Sequence, residues 1–291
     1  MPSLAALTDS EDVGLVVTQP DRPKGRSGRP APPKIKEFAL SIGLDVIQPD
    51  SSEALKEGLE SHGPFEVGVV VAYGRLLSPE VLVLPSRGML NVHFSLLPRW
   101  RGAAPVGRAL MQGDTMTGVT IIQLDEGLDT GPVLTAQALD IDPDDDLGAL
   151  TERLANMGAR LLIDSLPKYL KGSLRAVEQS DDGMTYAAKI TSEDRALNVD
   201  TTPEVFLNHV RSLSPKPGAT IGIDDSPHKI LQVKISSHQM TAGSWAVVGG
   251  SVVIGVKGGT VEVVSLQPPG KNPQSGADWA RGRRVDAGRV G

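Results

Sequence analysis

Residues 65–73 read FEVGVVVAY, and residues 13–18 read VGLVVT. Neither run alternates apolar with polar side chains. Both are continuous, as expected of parallel strands whose two faces are covered by helices. The sequence between them supports that reading. KIKEFALSIG (34–43) has a helical pattern closing on Gly43, GLDVIQP (43–49) reads as a short strand, and SSEALKEGLE (51–60) opens with serines suited to an N-cap and carries Glu53 in its first turn. The rhythm is β-α-β-α-β. It continues with a strand over 89–92, a helix over 105–111, strands over 119–124 and 133–141 and a long helix over 147–170. This predicts an α/β domain with its site at the carboxyl ends of the strands.

The pattern changes in the last third. ATIGI (219–223), KILQVKIS (229–236), SWAVVGG (244–250), SVVIGV (251–256) and TVEVVSLQ (260–267) are short apolar runs separated by Gly, Ser, Pro and Asp, a spacing that predicts a small all-β barrel or sandwich. PEVFLNHVRSL (203–213) reads as a helix with proline in its first turn. The expected organisation is a catalytic domain over 1–188, a polar linker over 189–202 and a second domain over 203–291.

Composition narrows the chemistry. The chain has 291 residues and no cysteine, which removes disulfides, thiolate metal sites and thiol nucleophiles together. The five histidines are scattered with no His-x-x-x-His pair, so no metal is expected. No apolar run is long enough to cross a bilayer, and the N-terminus lacks a basic region followed by an apolar stretch; no membrane is expected as a partner, and the expected location is the cytoplasm. The formal net charge is -6. Against that background, TQPDRPKGRSGRPAPPKIK (18–36) places Arg22, Lys24, Arg26, Arg29, Lys34 and Lys36 against the single acid Asp21, a local charge of about +5. With five prolines this segment is expected to be a long loop near the site. It suits contact with a phosphate backbone, or else it is a solvated charged face.

Asn91 and His93 close a predicted strand, and the two-residue step puts both side chains on one face. An amide donor beside an imidazole suits stabilisation of an oxyanion at an acyl carbon, with proton transfer as a second role for His93. A satisfied buried histidine is the plainer reading. A carboxylate partner is available in LDEGLDTG (124–131), where Asp129 is the acid expected to point inward; the same residues also read as a simple turn. In SLLPRWRGAAP (95–105), Leu96, Leu97 and Pro98 are suited to a rigid wall for a flat heterocycle, with Arg99 and Arg101 flanking an anionic group or stacking at a surface.

Taken together, NVHFSLLPRWRGAAP (91–105) and GVTIIQLDEGLDTG (118–131) resemble the 10-formyltetrahydrofolate-dependent formyltransferases. TQPDRPKGR (18–26) resembles the branch that acts on methionyl initiator tRNA, and TYAAKI (185–190) and VSLQPPGK (264–271) are similar to its carboxyl-terminal half. The resemblance implies a Rossmann-like domain followed by an all-β barrel similar to an OB-fold. It implies formyl transfer from 10-formyltetrahydrofolate to the methionyl amino group of initiator tRNA, with no metal and no covalent intermediate, by a monomer. Carried over by motif, the catalytic residues are Asn91, His93 and Asp129. The folate contacts are Ser95, Leu96, Leu97, Pro98, Asp125 and Gly127, and the tRNA contacts are Arg22, Lys24, Arg26 and Arg29 in the loop and the barrel domain.

One feature departs from the family. Its members open with a strand and a glycine-containing turn before the first helix, whereas PSLAALTDS (2–10) resembles the latter part of that helix. The expectation is a gene product starting about ten to fifteen residues upstream, with the 291-residue form poorly stable or inactive. Formyl transfer to a nucleotide sugar or a purine precursor, hydrolysis of the formyl folate, and RNA binding without catalysis are the alternative functions. The basic loop argues against the first two acceptors, and the intact Asn91, His93 and Asp129 argue against the last.

Overall fold

The apolar runs become strands, but shorter ones than the sequence predicts. In the computed structural model, which describes residues 1–23, 28, 30–283 and 285–291, the strand in VGLVVT is only Val16–Val17 and that in FEVGVVVAY only Gly68–Val70. The reason is pairing. Val16–Val17 is hydrogen-bonded in parallel to Val46–Ile47, and Gly68–Val70 in parallel to Met89–Asn91, so among the described residues each run is paired along one edge.

The strand Met89–His93 is parallel to Gly68–Val70 on one side and antiparallel to Met116–Gln123 on the other, with Leu90 opposite Gln123 and His93 opposite Thr120. The expected parallel strand under Asn91 and His93 is therefore parallel on one edge only. The chain doubles back after His93, and Thr120 fastens the return: its hydroxyl donates to the Ser95 carbonyl (2.7 Å) and accepts from the Leu97 N–H (3.1 Å). Leu90, Val119, Ile121 and Ile122 are fully buried in this sheet. The helix Leu147–Leu170 approaches it closely at Gly158, where a Cβ would lie 2.7 Å from Val92 Cγ1. Apart from Met116–Thr117 and Leu147–Glu152, these elements belong to a first compact unit, Met1–Ala103, Gly118–Leu139 and Arg153–Tyr186. The helix Ser52–His62 is capped as its sequence suggests, Ser51 Oγ accepting from the Ala54 N–H at 3.1 Å, a contact worth about 1 kcal/mol.

The second unit is Ala104–Thr117, Asp140–Glu152 and Ala187–Gly291. Its strands run in the spatial order Ala219–Ile223, Ser226–Ser236, Gly259–Gln267, Ser251–Val256, Ser244–Val248, Ala287–Arg289. An antiparallel bridge between Ile223 and Val290 joins the two ends of that order, so the curled antiparallel sheet meets itself there. The hairpin at Asp224-Asp225 has both residues at positive φ (47° and 61°), the geometry of a tight two-residue turn. Inside, Trp245 and Trp279 meet edge to face at 5.1 Å, and the Trp245 indole N–H donates to Asp224 (3.0 Å). The helix Pro203–Arg211 buries Phe206 and Val210, one turn apart.

Arg108 and Asp194 form a two-point ion pair in this unit, with contacts of 2.9 and 2.7 Å. The Arg108 hydrogen bonds, helped by the Thr191 backbone N–H, pull the Asp194 carboxyl down to about 2. A depressed carboxylate stabilises the folded state above its ordinary range and loses that contribution as pH falls toward the folded value. The melting-temperature difference between wild type and Asp194→Asn should therefore be full above about pH 4 and shrink between about pH 4 and 2. A difference independent of pH would show that the ion pair does not contribute.

Candidate active site

The structure brings Asn91, His93 and Asp129 together at the end of the Met89–His93 strand. Asn91 Nδ2 donates to Asp129 Oδ1 at 3.0 Å, and His93 Nδ1 lies 3.6 Å from Asp129 Oδ2. That second oxygen also accepts from the Gly102 N–H at 2.9 Å. His93 is buried, and its Nε2 donates to the Trp100 carbonyl at 2.9 Å, which assigns the hydrogen to Nε2 by geometry. Nδ1 faces the carboxylate across a gap longer than a hydrogen bond.

Both residues that grip His93 have left-handed backbone, Trp100 at φ 65° and Asp129 at φ 53°. Such a conformation costs of order 1 kcal/mol or more for a non-glycine residue and concentrates where the surrounding structure enforces it. Here the enforcement is visible. The Gln179 amide donates to the carbonyls of Asp129 (2.9 Å) and Gly131 (2.7 Å), and its oxygen accepts from Arg101 Nε and Nη2 (3.1 and 2.9 Å). Thr185 accepts the Trp100 N–H with its hydroxyl and the Arg101 N–H with its carbonyl, each at 2.9 Å. Gly131 leaves no room for a side chain, since a Cβ would lie 1.8 Å from the Gln123 carbonyl oxygen.

Arg101 corrects an expectation. It is 4% exposed and spends its guanidinium on Gln179, Asp181 and Met184. It braces the site and does not flank an anion within it. Arg99 lies over the Trp100 ring at 4.5 Å, the stacking alternative.

Ser95 is fully buried, its hydroxyl donating to the Arg99 carbonyl at 2.6 Å. Leu96 packs on the neighbouring strand, close enough that a Cβ at Gly118 would meet it at 2.5 Å, while Leu97 and Pro98 are half-buried. Asp125 is exposed and tied into its own turn, accepting from the Gly127 N–H (3.0 Å) and the Thr130 hydroxyl (2.8 and 2.9 Å). The turn reading of LDEGLDTG thus applies to Asp125 and exposed Gly127, and the inward carboxylate to Asp129. Arg22 is exposed, and Arg22–Pro23 pairs with Pro30–Ala31, a short ladder where a plain loop is expected. Lys24, Arg26 and Arg29 lie outside the described residues.

Sequence reasoning passed over Gln179, Thr120 and Gly102. Gln179 stands in the polar stretch EQSDDG without a periodic signal, and only the fold brings it to Asp129. Thr185 had a signal, in TYAAKI, but no assigned role.

Residues 4–166 match the family described as formyl transferase, and residues 189–284 match the formyl transferase C-terminal domain. A methionyl-tRNA formyltransferase of Halorhodospira halophila is 43% identical, the match covering 99% of this chain and 94% of that protein. One of Roseobacter denitrificans is 41% identical over 100% and 94%. Among solved structures, the N-formyltransferase from Helicobacter canadensis in complex with folinic acid and dTDP-3-aminofucose superposes with a TM-score of 0.68 at 16% identity, covering 91% of this chain and 94% of that one. With both of its domains matched in order and relatives this close across nearly its whole length, this chain belongs to the formyl transferase family.

Proposed function

We propose that this protein transfers the formyl group of 10-formyltetrahydrofolate to the amino group of methionyl initiator tRNA, with Asn91, His93 and Asp129 as its catalytic residues. The observation that carries the site assignment is the convergence of an amide, a buried imidazole and a half-buried carboxylate at one strand end, on a scaffold whose close relatives are methionyl-tRNA formyltransferases.

The chemistry follows from the donors. The neutral methionyl amine attacks the formyl carbon, and negative charge grows on the formyl oxygen. Asn91 gives one amide hydrogen to Asp129 and keeps the other for that oxygen. Nδ1 of His93, which carries no hydrogen while Nε2 donates to Trp100, is the basic atom that takes up the proton lost by the amine. The new carbon–nitrogen bond to methionine forms as the bond to folate N10 breaks, and the proton lost by the amine ends on N10. Asp129 orients both partners rather than attacking.

The folate is assigned to Ser95, Leu96, Leu97 and Pro98 on one side and the Asp125–Asp129 turn on the other. Ser95 contributes by fixing the loop through its own carbonyl and hydroxyl. The tRNA is assigned to Arg22, Lys24, Arg26 and Arg29, and to the barrel of a 203–291 domain similar to an OB-fold. Among the described residues no helix is long and apolar enough to cross a membrane and no cluster of His, Cys, Asp or Glu could hold a metal ion. A cytoplasmic monomer is the form in which we read the enzyme.

The direct test is incubation with 10-formyltetrahydrofolate and charged initiator tRNA, followed by assay for a blocked methionyl amino group. No blocked product under conditions where a relative is active would refute the reading. The basic segment has its own test. Arg26→Glu with Arg29→Glu should weaken tRNA binding and flatten its dependence on salt by roughly one to two phosphate contacts, with folate binding unchanged. An unchanged salt slope would make the segment a solvated face.

A further inference from the structure

We infer that Gln179 is a positioning residue that keeps the one hydrogen of the neutral His93 ring on Nε2 and so leaves Nδ1 free to act as the base. The inference rests on the reading of His93 given above and concerns how the fold prepares that ring.

Two groups grip the imidazole, and they compete. The Trp100 carbonyl accepts the Nε2 hydrogen at 2.9 Å, while the Asp129 carboxylate lies 3.6 Å from Nδ1. Both are acceptors, and a neutral imidazole has a single hydrogen to give. A carboxylate accepts more strongly than a carbonyl. At equal distances it would draw the hydrogen to Nδ1, and the base would be lost. The Nε2 form therefore depends on holding Trp100 close and Asp129 about 0.5 Å beyond hydrogen-bond reach.

The local chain favours neither placement, since both residues have left-handed backbone, φ 65° at Trp100 and 53° at Asp129. One side chain reaches the polypeptide beside both. The Gln179 Nε2 hydrogens go to the carbonyls of Asp129 and Gly131, at 2.9 and 2.7 Å, and Oε1 accepts from Nε and Nη2 of Arg101, the residue after Trp100. Arginine only donates, so its contacts fix which end of the amide is the oxygen. Both amide hydrogens and both lone pairs of the oxygen are then engaged. None remains for a substrate, and Gln179 acts through its neighbours.

The brace is itself anchored. Val177 exchanges both backbone hydrogen bonds with Val133, at 2.7 and 2.8 Å, just ahead of Gln179. Beyond it, Thr185 accepts the Trp100 and Arg101 amides. Asp181, the carboxylate 3.4 Å from Arg101, is 85% exposed and contributes little, which leaves Gln179 as the firmer oxygen acceptor of that guanidinium.

The test has two readouts, and one does not depend on formyl transfer. With isotope-labelled histidines, and His93→Ala to assign the signals, long-range proton–nitrogen correlation spectra at alkaline pH report which ring nitrogen carries the hydrogen. Wild type should show it on Nε2. Gln179→Ala and Gln179→Glu should shift it largely to Nδ1; the glutamate keeps an acceptor for Arg101 but offers the two carbonyls no donor. Turnover should fall about tenfold or more in both variants, with KM for either substrate changed less than about twofold. In an Asp129→Ala background the competing carboxylate is gone, so adding Gln179→Ala should lower turnover by less than about twofold. A wild-type ring with its hydrogen on Nδ1 would overturn the inference, as would a ring that keeps it on Nε2 in both folded variants. An equal loss of turnover with and without Asp129 would reduce Gln179 to a merely structural role. If the wild type fails to formylate methionyl initiator tRNA while the hydrogen moves as described, the reading of the reaction falls and the role of Gln179 stands. Should either variant fold poorly, Gln179→Met, of similar volume and without the amide, takes its place in both measurements.

Discussion

His93→Ala and Asn91→Ala are each expected to lower formyl transfer by about 10²-fold or more, with the melting temperature close to that of wild type for Asn91→Ala. Asn91→Ala removes a donor whose acceptor becomes strongly charged only as the tetrahedral centre forms, and His93→Ala removes the base that takes up the amine's proton, so each loss falls on turnover more than on substrate affinity. Asn91 is half-buried and its side-chain amide donates to Asp129, so its removal leaves that contact unmade in the resting protein. His93 is 5% exposed, and its loss also removes the Nε2 donor from the carbonyl of Trp100, a left-handed residue. That variant should lose about 1–3 kcal/mol of stability as well. Single-turnover assays on protein shown to be folded would separate the two effects. Turnover of His93→Ala within a few-fold of wild type would remove His93 from the mechanism.

Asp129 should prove equally sensitive, and two substitutions there divide its roles. The carboxylate accepts from the Asn91 amide and the Gly102 N–H, faces His93, and sits at φ 53°. Asp129→Ala leaves the Gly102 N–H without its partner and puts a residue poorly suited to left-handed backbone at that position, so it should cost roughly 1–3 kcal/mol together with about 10²-fold or more in turnover. Asp129→Asn keeps the size, retains one acceptor and tolerates the backbone. With both carboxylate oxygens accepting in the wild type, its NH2 meets one of the two donors, so it should lose some stability, though less than Asp129→Ala, and still lose about 10²-fold in turnover, because a neutral amide cannot support charge on His93. Comparable activity in Asp129→Asn and wild type would show that Asp129 serves only to shape the turn.

Much of this protein was legible in residue order, where local physics is enough. The helix Leu147–Leu170 repeats its leucines at a helical period, Ser51 caps its helix as its position suggests, and the strands of the second unit are separated by Gly, Ser, Pro and Asp at suitable intervals. Asn91 and His93 share a face because a strand has a period of two. Quoted motifs were also enough to indicate the family. The sequence had no means of marking Gln179, which reaches Asp129 from fifty residues away, or of showing that Arg101 points inward as a brace. A side chain's partner is fixed by which segments the fold brings side by side, and a hydrogen bond between distant residues leaves no period along the chain. The antiparallel pairing of Met116–Gln123 with Met89–His93 was hidden for the same reason: apolar runs buried on both faces look alike in either direction, and only the return of the loop to Thr120 decides which way the strand runs.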